Sequence, residues 1–330
     1  MSNTPSPILS VRNLKVVFPT AAGNIRAVEG IDLSVKPGHC LALVGESGCG
    51  KTVTGSAIMR LLETPPALLR ADELVFDGKD LQHLPEAELQ QIRGKDLCMI
   101  FQDALTALNP VMTIGRQLDE VFLKHSSMDK KQAKEASIEA LRRVGVPSPE
   151  KRYRSYPHQL SGGMRQRVLI AMAFAVSPKL IIADEPTTAL DVTIQAQVLE
   201  ELKKLQKEHN TALILITHDL SVVAHMADEI CVMYCGKIVE KATREQLFLS
   251  PAHPYTEGLL SSVPRLTEKR TQFIRIPDNV PSPMAKPSGC YFSTRCSYCT
   301  EECKATMPPL QDIGDGRLCR CHHPLQEKNT

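Results

Sequence analysis

The sequence predicts an α/β fold with a mostly parallel sheet, helices on its faces and a small cysteine-rich extension at the C-terminal end. Two observations support this class. First, three short runs have the composition of parallel strands buried on both faces, namely Cys40–Val44, Lys179–Asp184 and Ala212–Thr217. Second, segments with helical periodicity lie between these runs, and such alternation is typical of a parallel sheet covered by helices.

The N-terminal region predicts two further strands and a turn. Residues 8–18 mix β-branched residues with alternating polarity, and Val28–Val35 alternates again. Pro37 and Gly38 predict a turn just before the first buried run. A glycine-rich loop follows that run, and the periodicity of Thr52–Leu62 predicts a helix directly after the loop.

The middle of the chain is mostly helical in pattern, from about 104 to 177. The amphipathic helices predicted there and beyond are Gln117–Lys124, Lys131–Val144 and Ile194–Glu208. From about 263 onward prolines are frequent, the strand and helix patterns fade, and cysteines accumulate. We therefore predict two parts, residues 7–262 and 263–330, with a helical subdomain at about 104–177 inside the first.

Composition excludes several classes of function. The formal net charge is only +2 over 330 residues, so a basic surface for nucleic acid is not indicated. The longest apolar run, Val168–Val176, is far shorter than the roughly 20 residues of a membrane-spanning helix. The N-terminal residues lack the basic start and apolar centre of a signal peptide. We expect a cytosolic protein that reaches a membrane only by docking on other subunits.

The glycine-rich loop fits the pattern G-x4-G-K-[ST] in full. Its glycines allow successive backbone N–H groups to turn toward phosphate oxygens, and the helix that follows adds a positive N-terminus. Lys51 is expected to reach the β- and γ-phosphates, and the Thr52 hydroxyl to bind Mg²⁺. A chance glycine-rich turn is the alternative, but the buried strand before it and the helix after it favour a phosphate site. The candidate nucleotide-binding residues are Gly45, Ser47, Gly48, Cys49, Gly50, Lys51 and Thr52.

Two carboxylates end the second buried run. Asp184 and Glu185 follow four apolar residues, so they should face the crevice at the carboxyl edge of the sheet, where ligands bind in open α/β folds. Asp184 is the natural partner of Mg²⁺, and Glu185 is placed to polarise an attacking water. A plain strand cap is the alternative, and the phosphate loop in the same chain argues against it.

Other motifs decide between the many families that have such a loop. Ser161-Gly162-Gly163 lies at a predicted helix start, where a capping serine and exposed N–H groups favour an anion. This segment resembles the signature motif of ABC ATPases. Further matches occur in the family's order: Gln102 resembles the Q-loop, Ala189-Leu190-Asp191 the D-loop and His218 the H-loop, while Phe18 lies where the family places an adenine-stacking aromatic residue. The resemblance covers roughly residues 8–262.

The resemblance implies a P-loop NTPase fold and an ATP-driven mechanism. Two such domains close head to tail around ATP, with the phosphate loop of one facing Ser161, Gly162 and Gly163 of the other. It implies that Thr52, Gln102 and Asp184 hold Mg²⁺, and that Glu185, His218 and Gln102 act in hydrolysis. One departure is Met164, because the family's commonest signature has Gln immediately after the glycine pair. The Ser-Gly-Gly donors remain, so we expect activity to persist.

Six of the eleven cysteines lie between Cys290 and Cys321. Gly-Cys, Arg-Cys, a third cysteine and a final Cys-His resemble the C-terminal extension of the oligopeptide, dipeptide and nickel branch of ABC importers. The positions that match are Cys290, Cys296, Cys303 and Cys321. Members resembling the dipeptide subunit can hold a [4Fe-4S] cluster there, which requires four thiolates. Zn²⁺ on four thiolates and unligated reduced thiols are the alternatives, with Cys299 and Cys319 as further candidate ligands.

Together, the two resemblances imply an ATP-hydrolysing subunit that powers import of short peptides. Its expected partners are two membrane permease subunits, a second related ATP-binding subunit and an external solute-binding protein, with the chain peripheral on the cytoplasmic face of the inner membrane. Nickel or metal-chelate import is the first alternative, because the cassette does not touch the cargo. A non-transport ABC ATPase acting on ribosomes or DNA, and a soluble P-loop kinase, are alternatives from other classes.

Overall fold

The structure, a computed structural model, describes residues 6–188, 190–261 and 280–325, without the Val192 side chain. The strands are β1 Leu9–Thr20, β2 Gly23–Val35, β3 Cys40–Val44, β4 Leu68–Arg70, β5 Glu73–Phe76, β6 Lys79–Asp80, β7 Leu97–Ile100, β8 Leu180–Asp184, β9 Ala212–Thr217, β10 Glu229–Tyr234, β11 Lys237–Thr243, β12 Gln311–Asp312 and β13 Leu318–Cys319. The helices are α1 Lys51–Ile58, α2 Glu86–Ile92, α3 Ala104–Ala107, α4 Ile114–His125, α5 Lys130–Arg143, α6 Pro149–Tyr153, α7 Gly162–Phe174, α8 Val192–Glu208, α9 Leu220–Met226, α10 Arg244–Leu249, α11 Pro254–Ser261 and α12 Glu301–Ala305.

Contacts divide the chain into two units. The first unit contains His83–Leu215 together with Val35–His39. The second contains Leu9–Ser34, Cys40–Gln82 and the described residues from Ile216 onward. The α/β class is confirmed, because each unit combines parallel strand pairs or antiparallel ribbons with packed helices.

The first unit is built on a parallel pair of strands. β7 runs parallel to β8, with Leu97 opposite Leu180 and Ile100 opposite Ala183. Every residue of β8 and β9 is buried, which explains why both runs are continuously apolar. Between 104 and 174 the described residues form the helices α3–α7, as the pattern predicts. Thr113 and Asp129 cap α4 and α5 by accepting backbone N–H groups, so polar side chains fix the start of both helices.

The second unit combines a mixed sheet with an antiparallel one. β3 is buried throughout and runs parallel to β10, and β10 pairs antiparallel with β11. The antiparallel sheet has the order β2-β1-β5-β6, with β4 paired to β1. A core of aliphatic and aromatic residues includes Tyr234, Tyr255 and Phe292, so residues from the C-terminal segment are part of this core.

Two predicted boundaries differ from the structure. The helix predicted over Thr52–Leu62 is shorter, because α1 ends at Ile58 and Arg60 has a positive φ of 50°, which α-helices do not accept. The predicted fading of structure after 263 is only partly right, since 280–325 contain α12, β12 and β13, and β13 pairs with β11. The boundary at 263 itself lies outside the described residues and stays a prediction.

None of the described helices is both long enough and apolar enough to cross a lipid bilayer.

Candidate active site

The phosphate loop in the second unit joins β3 to α1. Gly50 precedes the helix with φ 107°, and a Cβ there would lie 2.4 Å from the Ala27 carbonyl oxygen. At Gly45 a Cβ would lie 2.2 Å from the Met233 carbonyl oxygen. Neither distance is possible for a real side chain, so the neighbouring backbone requires glycine at both positions. Packing against Ala27 and Met233 therefore explains why both positions are glycine.

Lys51 follows the loop as the first residue of α1, and its side chain reaches back into the loop. The side chain is 5% exposed, and Nζ donates to the carbonyl oxygens of Gly45 at 2.8 Å and Glu46 at 3.0 Å. The amine is thus held at the centre of the loop by backbone acceptors. Thr52, Ser47 and Gly48 are exposed at the surface of the same segment. This arrangement places one cation and several backbone donors where an anion could approach.

Cys49 contributes differently from its loop neighbours. Its side chain is only 1% exposed, and burial raises the pKa of its thiol. The carbonyl oxygen of Cys49 accepts the Gly236 N–H at 2.9 Å. The cysteine side chain is therefore buried in the protein, and its backbone N–H donates to the Glu46 carbonyl oxygen at 3.3 Å.

Glu46 has partners that the sequence did not reveal. Arg295 donates to both of its carboxylate oxygens, at 2.6 and 2.9 Å, and the Glu46 N–H donates to the Tyr255 hydroxyl at 2.9 Å. Arg295 and Glu46 are 249 residues apart, so no local pattern could connect them. The only sequence signal was an acidic residue inside a loop expected to bind anions.

The first unit places the two carboxylates at the end of β8, as predicted. Asp184 is 2% exposed, and Glu185 follows it with φ 44°. Oε2 of Glu185 accepts hydrogen bonds from Gln102 Nε2 at 2.9 Å and from the Thr188 hydroxyl at 2.8 Å. Gln102 and Glu185 were singled out from separate motifs, and the structure brings them into contact. Such a pair can hold a carboxylate in one orientation.

Ser161 begins α7 as a helix cap. Its hydroxyl accepts the Met164 N–H at 3.3 Å, which confirms the predicted capping role. A Cβ at Gly162 would make only ordinary contacts, but at Gly163 it would lie 2.6 Å from the Ile194 side chain. Gly163 is therefore required by the packing of α8 on α7, a reason that the motif did not indicate.

The remaining candidate residues that the structure describes lie on or beside β1, β9 and α8. His218 follows β9 and is exposed, and Asp219 beside it caps α9 by accepting the Ser221 N–H. Phe18 lies on β1 and is half-buried. Ala189 of the predicted D-loop lies outside the described residues, while Asp191 caps α8 through the Ile194 N–H.

The four cysteines that were matched to the C-terminal extension line one small cavity. Cys290, Cys296, Cys303 and Cys321 surround it together with residues such as His253, Phe292, Tyr298 and His322. Cys299 and Cys319 do not line it, and Cys319 is buried on β13. Burial raises the pKa of Cys296 and of Cys321 to about 11. Within the part of the chain that the structure describes, no three Cys, His, Asp or Glu side chains are arranged to hold a metal ion as they stand.

Comparison with known proteins identifies the family. The model of the family "ABC transporter" matches residues 28–188, and that of "Oligopeptide/dipeptide transporter, C-terminal region" matches 239–303. The oligopeptide transport ATP-binding protein OppD of Bacillus subtilis is 49% identical over 93% of this chain and 86% of its own length. The dipeptide transport ATP-binding protein DppD of Escherichia coli is 46% identical over 97% of this chain and 98% of its own. The chain belongs to the oligopeptide and dipeptide branch of ABC transporter ATP-binding proteins.

Solved structures agree with this assignment. An ATP-binding cassette solved as a dimer in a post-hydrolysis state, bound to ADP and phosphate, superimposes with a TM-score of 0.64. It is 25% identical, and the alignment covers 72% of this chain and 98% of that cassette. A second dimeric structure, titled as a bacterial ABC transporter cassette, gives the same TM-score at 26% identity. The predicted P-loop NTPase fold and the ABC-type ATPase class are thereby confirmed.

Proposed function

We propose that this ABC subunit hydrolyses ATP to drive the import of short peptides. The observation that supports it most is similarity over nearly the whole chain, C-terminal region included, to ATP-binding proteins named for oligopeptide and dipeptide transport. Nickel or a metal chelate is the alternative cargo. None of the residues discussed above would contact the cargo, so they do not distinguish it from a peptide. Acting on ribosomes or DNA is not favoured by any observation.

The proposed roles follow the motifs. Gly45, Ser47, Gly48, Cys49 and Gly50 offer backbone donors to the phosphates, Lys51 neutralises their charge, and Phe18 stacks on adenine. Thr52, Gln102 and Asp184 provide oxygen ligands for Mg²⁺. Glu185 polarises the attacking water, and its hydrogen bond from Gln102 supports that role because it orients the carboxylate. His218 holds the γ-phosphate, and Ser161, Gly162 and Gly163 serve the nucleotide of a partner cassette.

The proposed assembly places the chain on the cytoplasmic face of the inner membrane. It would dock there on two permease subunits, pair with a second related ATP-binding subunit and receive cargo through a solute-binding protein.

Uptake measurements test the cargo. Cells carrying this chain or its Lys51→Ala form are given labelled dipeptide and, separately, Ni²⁺. We expect Lys51→Ala to abolish dipeptide uptake and leave nickel uptake unchanged, because the variant lacks the cation that faces the phosphates. Loss of nickel uptake alone would move the assignment to metal import. If neither uptake changed, both cargoes would be wrong while the ATPase class remained.

We propose further that Cys290, Cys296, Cys303 and Cys321 hold a [4Fe-4S] cluster, with Zn²⁺ as the alternative. The support is that these four thiols line one cavity whereas Cys299 and Cys319 do not, and four thiolates are the ligands that such a cluster requires. Iron, acid-labile sulfide and zinc would be assayed in protein purified anaerobically. Serine at any of the four positions should remove the metal, and Cys299→Ser is the matched control that should retain it. Equal metal content in all variants would refute this ligand set.

A further inference from the structure

An arginine of the C-terminal extension forms hydrogen bonds with the phosphate loop. The Arg295 side chain is 4% exposed, and its guanidinium meets both oxygens of the Glu46 carboxylate. Its Nη1 also lies 3.3 Å from the Tyr234 hydroxyl, which can accept a hydrogen bond. A bidentate, largely buried pair of this kind fixes both partners in direction as well as in distance.

Aromatic residues also contact the phosphate loop at Glu46. The Tyr255 hydroxyl accepts the Glu46 N–H, and the Tyr255 ring packs on Tyr234 with centroids 4.7 Å apart. Phe292, three residues before Arg295, packs on both rings at 5.3 and 5.4 Å. The Arg295 N–H donates to the Phe292 carbonyl oxygen, which forms a tight turn. Both the backbone and the side chain of Glu46 are therefore fixed by residues from outside the loop.

The charge of Glu46 gives this contact a consequence for nucleotide binding. Glu46 lies between Gly45 and Ser47, so its carboxylate is close to the site of a highly anionic ligand. An unpaired carboxylate there would repel phosphate, and Arg295 cancels that charge. The Glu46 carbonyl oxygen also accepts from Lys51, so the orientation of this residue bears on the lysine that faces the phosphates.

We propose that Arg295 is a positioning residue for ATP binding. It neutralises Glu46 and holds the phosphate loop in its binding conformation, so the cysteine-bearing extension takes part in nucleotide binding. The inference rests on the proposed role of the loop in holding ATP. It does not depend on whether the neighbouring Cys296 ligates a cluster.

The affinity for MgATP in the full-length chain tests the proposal, measured by displacement of a fluorescent ATP analogue. Arg295→Met should weaken binding about tenfold, because it leaves a bare carboxylate in the loop. Adding Glu46→Gln should recover most of that loss, because the repelling charge is gone. A purely structural role would not give this recovery. Recovery absent in the double variant, or unchanged affinity in folded Arg295→Met, would overturn the proposal.

Two controls separate the possible failures. Arg317 is an arginine of the same extension, 12% exposed and 3.7 Å from the Glu240 carboxylate, and it lies outside the loop contacts. Arg317→Met should lower the melting temperature and leave MgATP affinity unchanged. Lys51→Ala should lose affinity, and if it does not, the role of the loop is wrong rather than that of Arg295. If Arg295→Met does not fold, Arg295→Lys takes its place, because lysine keeps the positive charge but cannot form the bidentate pair. Arg295→Lys should bind MgATP more weakly than wild type, and adding Glu46→Gln should not restore that affinity. Wild-type affinity in Arg295→Lys would count against the bidentate pair.

Discussion

At the scale of single residues, Glu185 has an uncommon backbone conformation and a side chain that two hydrogen bonds hold in place. Its φ of 44° is one that non-glycine residues adopt rarely, and such residues concentrate at functional sites. Glu185→Gln keeps an oxygen acceptor for Gln102 but removes the charge. We expect the rate of ATP hydrolysis in the assembled transporter to fall about 10²- to 10³-fold, with MgATP affinity little changed. Thr188→Val, which removes only the second hydrogen bond, is the control and should retain most of the rate.

His253 should make folding stability depend on pH. Burial lowers its pKa to about 3, and its Nδ1 accepts the Tyr255 N–H at 3.0 Å. The unfolded chain binds a proton below about pH 6.5 whereas the folded chain does not, so stability is full above that pH and falls as the pH decreases toward 3. Between pH 8 and 5 this loss is about 2 kcal/mol.

The variant His253→Asn isolates this effect. Asparagine offers an oxygen acceptor to the same N–H but does not titrate. In urea unfolding of the reduced protein, wild type should lose about 2 kcal/mol more than the variant between pH 8 and 5. Parallel pH profiles for the two proteins would show that the imidazole is not responsible.

At the scale of elements, the contact of α8 with α7 should depend on Gly163. A methyl group there would meet the stiff, branched Ile194 side chain at 2.6 Å, whereas at Gly162 it would have room. Gly163→Ala should lower the free energy of unfolding by about 1–3 kcal/mol, and Gly162→Ala should change it by less than about 0.5 kcal/mol. Adding Ile194→Ala to Gly163→Ala should restore part of the loss. Denaturant unfolding of the four proteins checks this, and equal effects at the two glycines would contradict it.

The elements also show what the sequence could predict. The buried strands β3, β8 and β9 were found to within a residue, because a strand covered on both faces has no polar position to obscure it. The strands β12 and β13 have two residues each, so no periodicity could reveal them; β13 is held by pairing with β11, and β12 by pairing with β13. The strand β13 therefore depends on a partner strand that lies far away in sequence, and β12 depends in turn on β13.

In the candidate site, too, some residues could be predicted from the sequence and others could not. Lys51, Asp184 and Glu185 were predictable because each belongs to a short motif whose spacing follows from phosphate chemistry. The Glu46–Arg295 pair and the fit of Gly163 against Ile194 were not, because both arise from packing between segments that the sequence does not mark.

At the scale of the whole molecule, the phosphate loop is supported by residues spread over the length of the second unit. Ala27 and Met233 close the space behind its glycines, while Tyr255 and Arg295 hold Glu46. The loop is a local motif in sequence, but its conformation is a long-range property of the fold. Substitutions in the extension should therefore affect nucleotide binding more often than their distance along the chain indicates.

The whole chain should also need a partner in order to work. The family resemblance implies that Ser161, Gly162 and Gly163 complete the nucleotide site of another cassette, and similar cassettes have been solved as dimers. The isolated chain would then supply only part of each site. We expect its ATP turnover per chain to be low when dilute, and to rise with concentration or on adding the second ATP-binding subunit. Turnover would be measured alongside sedimentation, with Lys51→Ala as the background. Full turnover, independent of concentration, in a chain that sediments as a monomer would refute the shared site, because one chain would then supply every group that hydrolysis requires.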